Sequence, residues 1–461
     1  MKSIFAGDGK TPAEWLAQAK TAQAAGELPA AVNAYRKALE AGAPAGDVHL
    51  QLGVLHTTLN EHPQAIEHLE AAIAASPRDA DPICMLGAVM SNERRFDEAS
   101  ALFERALALR PDFPEAHFNL GLANFERADF AGAASSFARC VALNRGAPWD
   151  DARRADLSRE PAPAFQPKDM GVNPVKLRHD CEQLEHLLGM GRLSAAYREV
   201  LADYRALLRE TAAVPIDELV PFDPARHPLV ARTYKRPLLI AAGPLPPGPL
   251  INPALEVAAI EERYLGAEPS IIAVDDLLTP DALAAVRRFC LESTIWNNIK
   301  PGYLGAYFFD GFCSELLLRL AWELRQSFPR IMRGLPLQMM WGYKGDQTLP
   351  GLAVHADEAA VNVNFWITDD EANLDKEHGG LLVWPQDAPR DWGFTKFNKD
   401  AASIQRYLES IGGEPVRVPY RANRAVIFDS DLFHATDRTR FREGYANRRV
   451  NITLLYGLRS M

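Results

Sequence analysis

No two cysteines in this chain stand close enough in sequence to clasp a metal. The five, Cys84, Cys140, Cys181, Cys290 and Cys313, are scattered and odd in number, with no CxxC pair. That excludes a disulfide framework and a cysteine-rich zinc site, and points to buried thiols in a reducing compartment. Nor is there a run of about 18 apolar residues able to span a bilayer. The opening MKSIFAGDGKTPAEW lacks the apolar stretch of a secretory signal, so the expectation is a cytoplasmic protein without a membrane attachment. Positive charge is in deficit as well. Lys and Arg number 50 against 60 Asp and Glu, a net charge of −10. That argues against a nucleic-acid partner, because phosphate binding needs basic surface.

Length is what the chain has in plenty. Its 461 residues exceed one ordinary core and imply two or three domains. The first of them is periodic. Leu52-Gly53, Leu86-Gly87 and Leu120-Gly121 stand 34 apart. The same interval separates Ala31, Ala65, Ala99 and Ala133, and also Tyr35, Leu69, Phe103 and Phe137. Ala38, Ala72, Ala106 and Cys140 keep the register, and Pro77 and Pro111 close successive units. This is the period of the tetratricopeptide repeat. Small residues would let the two helices of a unit approach, and the Tyr/Leu/Phe position would fill the gap between units. The first unit is irregular, with Gln18 where leucine is expected and Trp15-Leu16 as a cap. An α-solenoid over 1–146 offers an extended concave surface for a peptide or protein, with dimerisation or spacing as the plainer use.

Residues 147–171 are polar and proline-rich and read as irregular. Helical spacing returns over 174–212, as a fifth helix pair without the repeat signature, so 147–213 is read as linker plus helix pair. Residues 214–253 hold ten prolines, which suggests a stiff joint over 214–267 and places the domain boundary there. From residue 268 the texture changes. Ile271–Val274 reads as a strand, Thr279-Pro280-Asp281 opens a helix, and a second helix is expected over 311–327. Strand-like segments follow at 337–343, 352–357, 361–367, 380–384, 415–418, 424–429 and 449–456, a pattern of an antiparallel barrel or double sheet. Gly302–Gly311 reads either as a lid loop or as a loop packed on the helices.

The chemistry lies in this last region. His355 and Asp357 are two apart, so in a strand they share a face, and His434 could complete a set of two imidazoles and one carboxylate. Such a triad leaves positions open on a ferrous ion. Arg449 adds a planar, permanently charged fork for a carboxylate, which together suggests iron(II) and a keto-acid cosubstrate. Arg448 competes for that role, but strand alternation puts the two on opposite faces. Arg449 shares its face with Asn451 and Thr453, and Arg448 with Val450, Ile452 and Leu454, so Arg449 is preferred, and an apolar barrel interior there would reverse the choice.

Val354-His-Ala-Asp357, Gly379-Gly380-Leu-Leu-Val-Trp384, Ala425-Val-Ile-Phe-Asp-Ser-Asp-Leu-Phe-His434 and Arg449-Val-Asn451 resemble, in that order, the iron(II)/2-oxoglutarate-dependent dioxygenases, specifically bacterial members fused to tetratricopeptide repeats. The resemblance covers about 268–458. It implies a double-stranded β-helix, or jelly roll, and an α+β multidomain chain in which supporting helices precede the barrel. It also implies Fe(II) held by His355, Asp357 and His434, with 2-oxoglutarate and O2 as cosubstrates and Arg449 pairing with the distal carboxylate. Tyr343 resembles a strand tyrosine that helps hold 2-oxoglutarate. Asn364 and Asn451, with Asn362, are candidates for hydrogen bonds to cosubstrate or substrate, and Trp366 and Trp384 for the pocket wall. His378 is expected to be solvated in its turn, Asp429 and Asp431 to serve turns, and most of Arg438, Arg440, Arg442, Arg448 and Arg449 to form a solvated face. The expected function is hydroxylation of a peptide or protein recruited by the repeats. The alternatives are a small-molecule oxygenase whose repeats form a homodimer, and a metal-binding scaffold or sensor without turnover.

Overall fold

The structure, a computed structural model, describes residues 10–148 and 171–459 apart from 213, 216, 217, 242, 301 and 347–352. Most of the expected irregular stretch 147–171, and residue 352 of an expected strand, lie outside the described residues. The chain divides into two compact units, Met1–Cys140 and Val141–Met461.

The first unit is built of helix pairs: α1 (Pro12–Ala24) with α2 (Leu28–Glu40), α3 (Ala45–Thr58) with α4 (His62–Ala75), α5 (Ala80–Asn92) with α6 (Phe96–Leu109), and α7 (Pro114–Glu126) with α8 (Phe130–Arg145). The Thr11 side chain caps α1 in a reciprocal box with Glu14. The ladder of small residues has a direct cause. A Cβ on Gly53 would stand 2.6 Å from Leu69, and one on Gly87 or Gly121 2.7 Å from the ring of Phe103 or Phe137. The Leu/Phe position thus presses on the glycine of its own unit's first helix, not only into the gap between units.

Among the described residues of the second unit every strand pairing is antiparallel. A seven-stranded sheet runs in the order β1 (Ile271–Val274), β8 (Ala425–Asp429), β5 (Val361–Trp366), β10 (Val450–Tyr456), β4 (Leu337–Gly345), β3 (Tyr303–Tyr307), β2 (Asn298–Lys300). A second sheet has the order β7 (Val416–Val418), β6 (Leu381–Asp387), β9 (Leu432–Thr436). Two expectations change here. Tyr303–Tyr307 is not a lid but a strand between β2 and β4, and Gly305 leaves room there for the Tyr307 and Tyr343 rings, which a Cβ would meet at 3.3–3.4 Å. His355–Asp357 lies on no strand either. His355 forms an isolated bridge to His434.

The proline-rich stretch does not separate two bodies. Leu238 and Leu239 donate backbone N–H groups to Thr294 Oγ1, and Ala241 donates to Ser293 Oγ. Helices Pro174–Gly189 and Tyr197–Glu210 share a core with Val230, Tyr234 and Leu238. Gln183 Nε2 donates to the carbonyls of Leu291 and Ser293 and to Tyr445 Oη. The boundary therefore falls at Cys140/Val141 rather than within 214–253. The prolines lie along packed backbone, where side-chain hydroxyls pair the neighbouring N–H groups.

Candidate metal centre

β10 explains how one face becomes a site. Ile452, Leu454 and Tyr456 are buried on one side, and Tyr456 Oη donates to the Ala321 carbonyl of helix Glu315–Ser327. The other side carries Arg449, Asn451 and Thr453, which line a pocket with Trp341, Tyr343, His355, Asp357, Asn364, Leu381, Thr436 and His434. His355, Asp357, His434, Arg449, Tyr343, Asn364 and Asn451 are thus brought together.

Reciprocal backbone bonds, His355 N to His434 O at 3.1 Å and His434 N to His355 O at 2.8 Å, set the two histidines side by side. Asp357 is pinned by its own N–H to the Ser430 carbonyl and by Ser430 Oγ to its carbonyl. One ligand atom from each of His355, Asp357 and His434 lies within 4.8 Å of the others. The tautomers follow from the backbone. Nδ1 of His355 faces the Ala353 carbonyl at 3.0 Å and Nδ1 of His434 the Leu432 carbonyl at 3.1 Å. A carbonyl only accepts, so each Nδ1 carries the proton and Nε2 is left to face the carboxylate, with a lone pair in the neutral ring. Those lone pairs face the carboxylate, His355 Nε2 at 3.8 Å from Asp357 Oδ1 and His434 Nε2 at 3.5 Å from Oδ2. Two lone pairs and an anion pointed at one another repel unless a cation lies between them.

Electrostatics favour the same form. Burial, and then the neighbouring His434, push the His355 pKa down to about 4, so its ring stays neutral. Burial works against the Asp357 charge, and the Asn362 amide, donating to its Oδ2, favours it.

Arg449 is buried at the other end of the pocket. Its Nε donates to the Gly379 carbonyl at 2.7 Å and Nη2 to that of Gly380 at 3.2 Å, and its guanidinium lies over the Trp366 ring. It has no carboxylate partner among the described residues. Burial alone drives its pKa down to about 10, the mark of a cation in need of an anion. Gly380 is required here, since a Cβ would stand 1.9 Å from the Val418 carbonyl. Arg448 points away and pairs with Glu182 at 2.9 Å and Asp346 at 3.0 Å. Tyr343 stacks on Tyr303 with ring centroids 3.7 Å apart, and burial raises its pKa well above the usual value, leaving a neutral hydroxyl.

Several expectations are corrected. Trp366 lies beneath Arg449 and Trp384 packs by the Ile404 cluster, and neither lines the pocket. Trp341 does, and strand alternation from Tyr343 would have found it. Its buried Nε1 has no partner among the described residues. His378 is buried, not solvated, with Nδ1 2.8 Å from Asp437 Oδ2. Asn364 and Asn451 are hydrogen-bonded to each other and to Thr453. Asp429 does serve a turn, accepting from the Asp431 N–H. The pocket itself is small, about 20 Å³, the size for an ion. It shares Tyr343, Thr436 and Arg449 with a cleft of about 790 Å³ bordered by Glu182, Tyr303, Phe441 and Arg442.

Residues 16–80 and 91–148 match the tetratricopeptide repeat family model. The N-terminal helix pairs are tetratricopeptide repeats. Among solved structures, the chain is similar to MamA, at 24% identity over 29% of this chain and 78% of that one, TM-score 0.28. It is also similar to YrrB, described as a TPR protein with an unusual peptide-binding site, at 25% identity over 28% and 66%, TM-score 0.25. A third likeness is to the TPR2B domain of yeast Sti1 in a complex with pHsp70, at 21% identity over 21% and 77%, TM-score 0.21. No curated protein matches the chain. No helix among the described residues is long and apolar enough to cross a membrane.

Proposed function

We propose that residues 268–461 are an iron(II)/2-oxoglutarate-dependent dioxygenase on a double-stranded β-helix, hydroxylating a peptide or protein that the repeats recruit. The observation that carries this reading is the pair of Nε2 lone pairs aimed at Asp357. Neutral imidazole and carboxylate are the donor set of non-haem iron(II), and three protein ligands leave room for exogenous ones. The buried Arg449, with no carboxylate partner among the described residues, fits the second half of the reading, a dianionic cosubstrate. Bound iron would couple oxidative decarboxylation of 2-oxoglutarate, giving succinate and carbon dioxide, to oxygenation of a substrate C–H bond.

The chain's own residues have separate tasks. His355, Asp357 and His434 hold the ion. Arg449 pairs with the distal carboxylate as a charged fork. Tyr343 and the unpaired Trp341 N–H donate hydrogen bonds to cosubstrate oxygens. Leu381 and the Tyr303–Tyr343 stack keep water from the reacting groups. The 790 Å³ cleft has the volume for a side chain and its flanking backbone. Repeat solenoids form extended binding surfaces, which supports a peptide or protein substrate.

The test is succinate release from 2-oxoglutarate with iron(II), with and without a peptide library. Slow release alone and faster release with particular peptides is the expected result. No release under either condition counts against catalysis and leaves a metal-binding scaffold. Release stimulated only by small molecules would assign the repeats another task.

A further inference from the structure

Behind Asp357 lies a row of three asparagines on β5 and β10, Asn362, Asn364 and Asn451, all buried. Resting on the metal-site reading above, we propose that they form a one-way amide relay that positions Asp357 as a ligand. An asparagine can be turned either way, so the direction has to be argued. An ionised carboxylate only accepts. Asn362 must therefore turn its NH2 to Asp357 Oδ2, 2.9 Å away, which leaves its oxygen facing Asn364. Asn364 then donates Nδ2 to Asn362 Oδ1 at 2.6 Å. Its own oxygen in turn accepts from Asn451 Nδ2 at 2.8 Å and from the Thr453 hydroxyl at 2.7 Å. Asn451 Nδ2 also donates to Thr453 Oγ1 at 3.0 Å. One carboxylate thus fixes the orientation of three amides.

Such a chain must end in a surplus acceptor at its far end. Asn451 Oδ1 is that atom, a buried oxygen with no hydrogen-bond partner among the described residues. Buried orphan acceptors are uncommon and costly, and the relay accounts for this one. Each donated bond polarises the next amide, so the row delivers a stronger donor to Asp357 than one isolated asparagine could. Its bond to Oδ2 fixes the carboxylate plane so that both oxygens face the histidines. These are positioning residues: the relay touches Asp357, not the reacting atoms. Partners of this kind set metal affinity as much as the ligands' identity does.

Cobalt(II), which does not turn over, is the probe: its affinity and visible spectrum are measured on the full chain, with folding checked by circular dichroism. Asn362→Leu keeps the volume and removes the last donor. It should weaken cobalt binding roughly 10- to 100-fold and alter the spectrum. Asn451→Asp puts an acceptor-only group at the far end and sets the two ends of the row against each other. It should also weaken binding, although an added negative charge would by Coulomb attraction alone tighten it. Should Asn362→Leu fail to fold, Asn451→Asp carries the same prediction. Unchanged affinity and spectrum in Asn362→Leu, or tighter binding in Asn451→Asp, overturns the relay and leaves the metal site standing. Failure of the wild-type chain to bind cobalt would overturn the metal-site reading itself.

Discussion

His434 Nε2 lies 3.5 Å from Asp357 Oδ2, with its Nδ1 proton committed to the Leu432 carbonyl. The distance is that of two groups sharing a ligand rather than of a hydrogen bond.

Arg449→Ala should raise the 2-oxoglutarate requirement strongly. A buried carboxylate that loses its charged partner costs on the order of 3–5 kcal/mol. Arg448→Ala should change it far less, because Arg448 serves Glu182 and Asp346. Titration of the cosubstrate against each variant checks this. The reverse order of effects would make Arg448 the anchor.

The acid stability of the metal-free protein carries the signature of His355. Burial holds its folded-state pKa at about 4, below the roughly 6.5 of a free imidazole. Between those values the unfolded chain binds the proton first. The stability His355 contributes is therefore present above about pH 6.5 and is lost as pH falls toward 4. The melting temperature should drop more steeply over that window in the wild type than in His355→Asn. Parallel curves would contradict the assignment.

Fragments should follow the boundary at Cys140/Val141. A fragment of residues 141–461 should fold and bind metal. One starting at 250 loses Gln183 and the Thr294-bonded backbone of Leu238 and Leu239, and should be insoluble or much less stable. A stable, metal-binding 250–461 fragment would show that the helices before the strands are dispensable.

In the repeats, Gly121→Val should destabilise the chain by roughly 1–3 kcal/mol, the range for overpacking, because its Cβ would meet the Phe137 ring at 2.7 Å. A second substitution, Phe137→Leu, should recover part of the loss in a thermal melt. Additive losses would mean that the two positions do not touch.

Much of this was legible in the sequence where a side chain's role depends on local period. The 34-residue ladder gave the repeats, and strand alternation separated Arg449 from Arg448, since an apolar face and a polar face alternate along β10. What escaped depended on partners far along the chain. His378 beside Gly379-Gly380 has the look of an exposed turn, yet it is buried and pairs with Asp437, 59 positions later. Gly302–Gly311 has loop composition, yet Tyr303–Tyr307 pairs with β4, and Gly305 leaves room for the Tyr307 and Tyr343 rings. The prolines of 214–253 suggested a joint, because nothing local announces that Ser293 and Thr294 take up their backbone donors. Asn362, Asn364 and Asn451 stand out in the sequence, but as ligand contacts. Their bonds to one another run between strands whose pairing no spacing rule supplies.

The central claim is that His355, Asp357 and His434 hold one ferrous ion. Iron content after anaerobic reconstitution and desalting, compared between the wild type and His434→Ala, tests it most directly. The account predicts close to one iron per chain in the wild type and almost none in the variant, because no further His, Cys, Asp or Glu among the described residues lines the pocket. Equal iron in both proteins, or none in either, would contradict it.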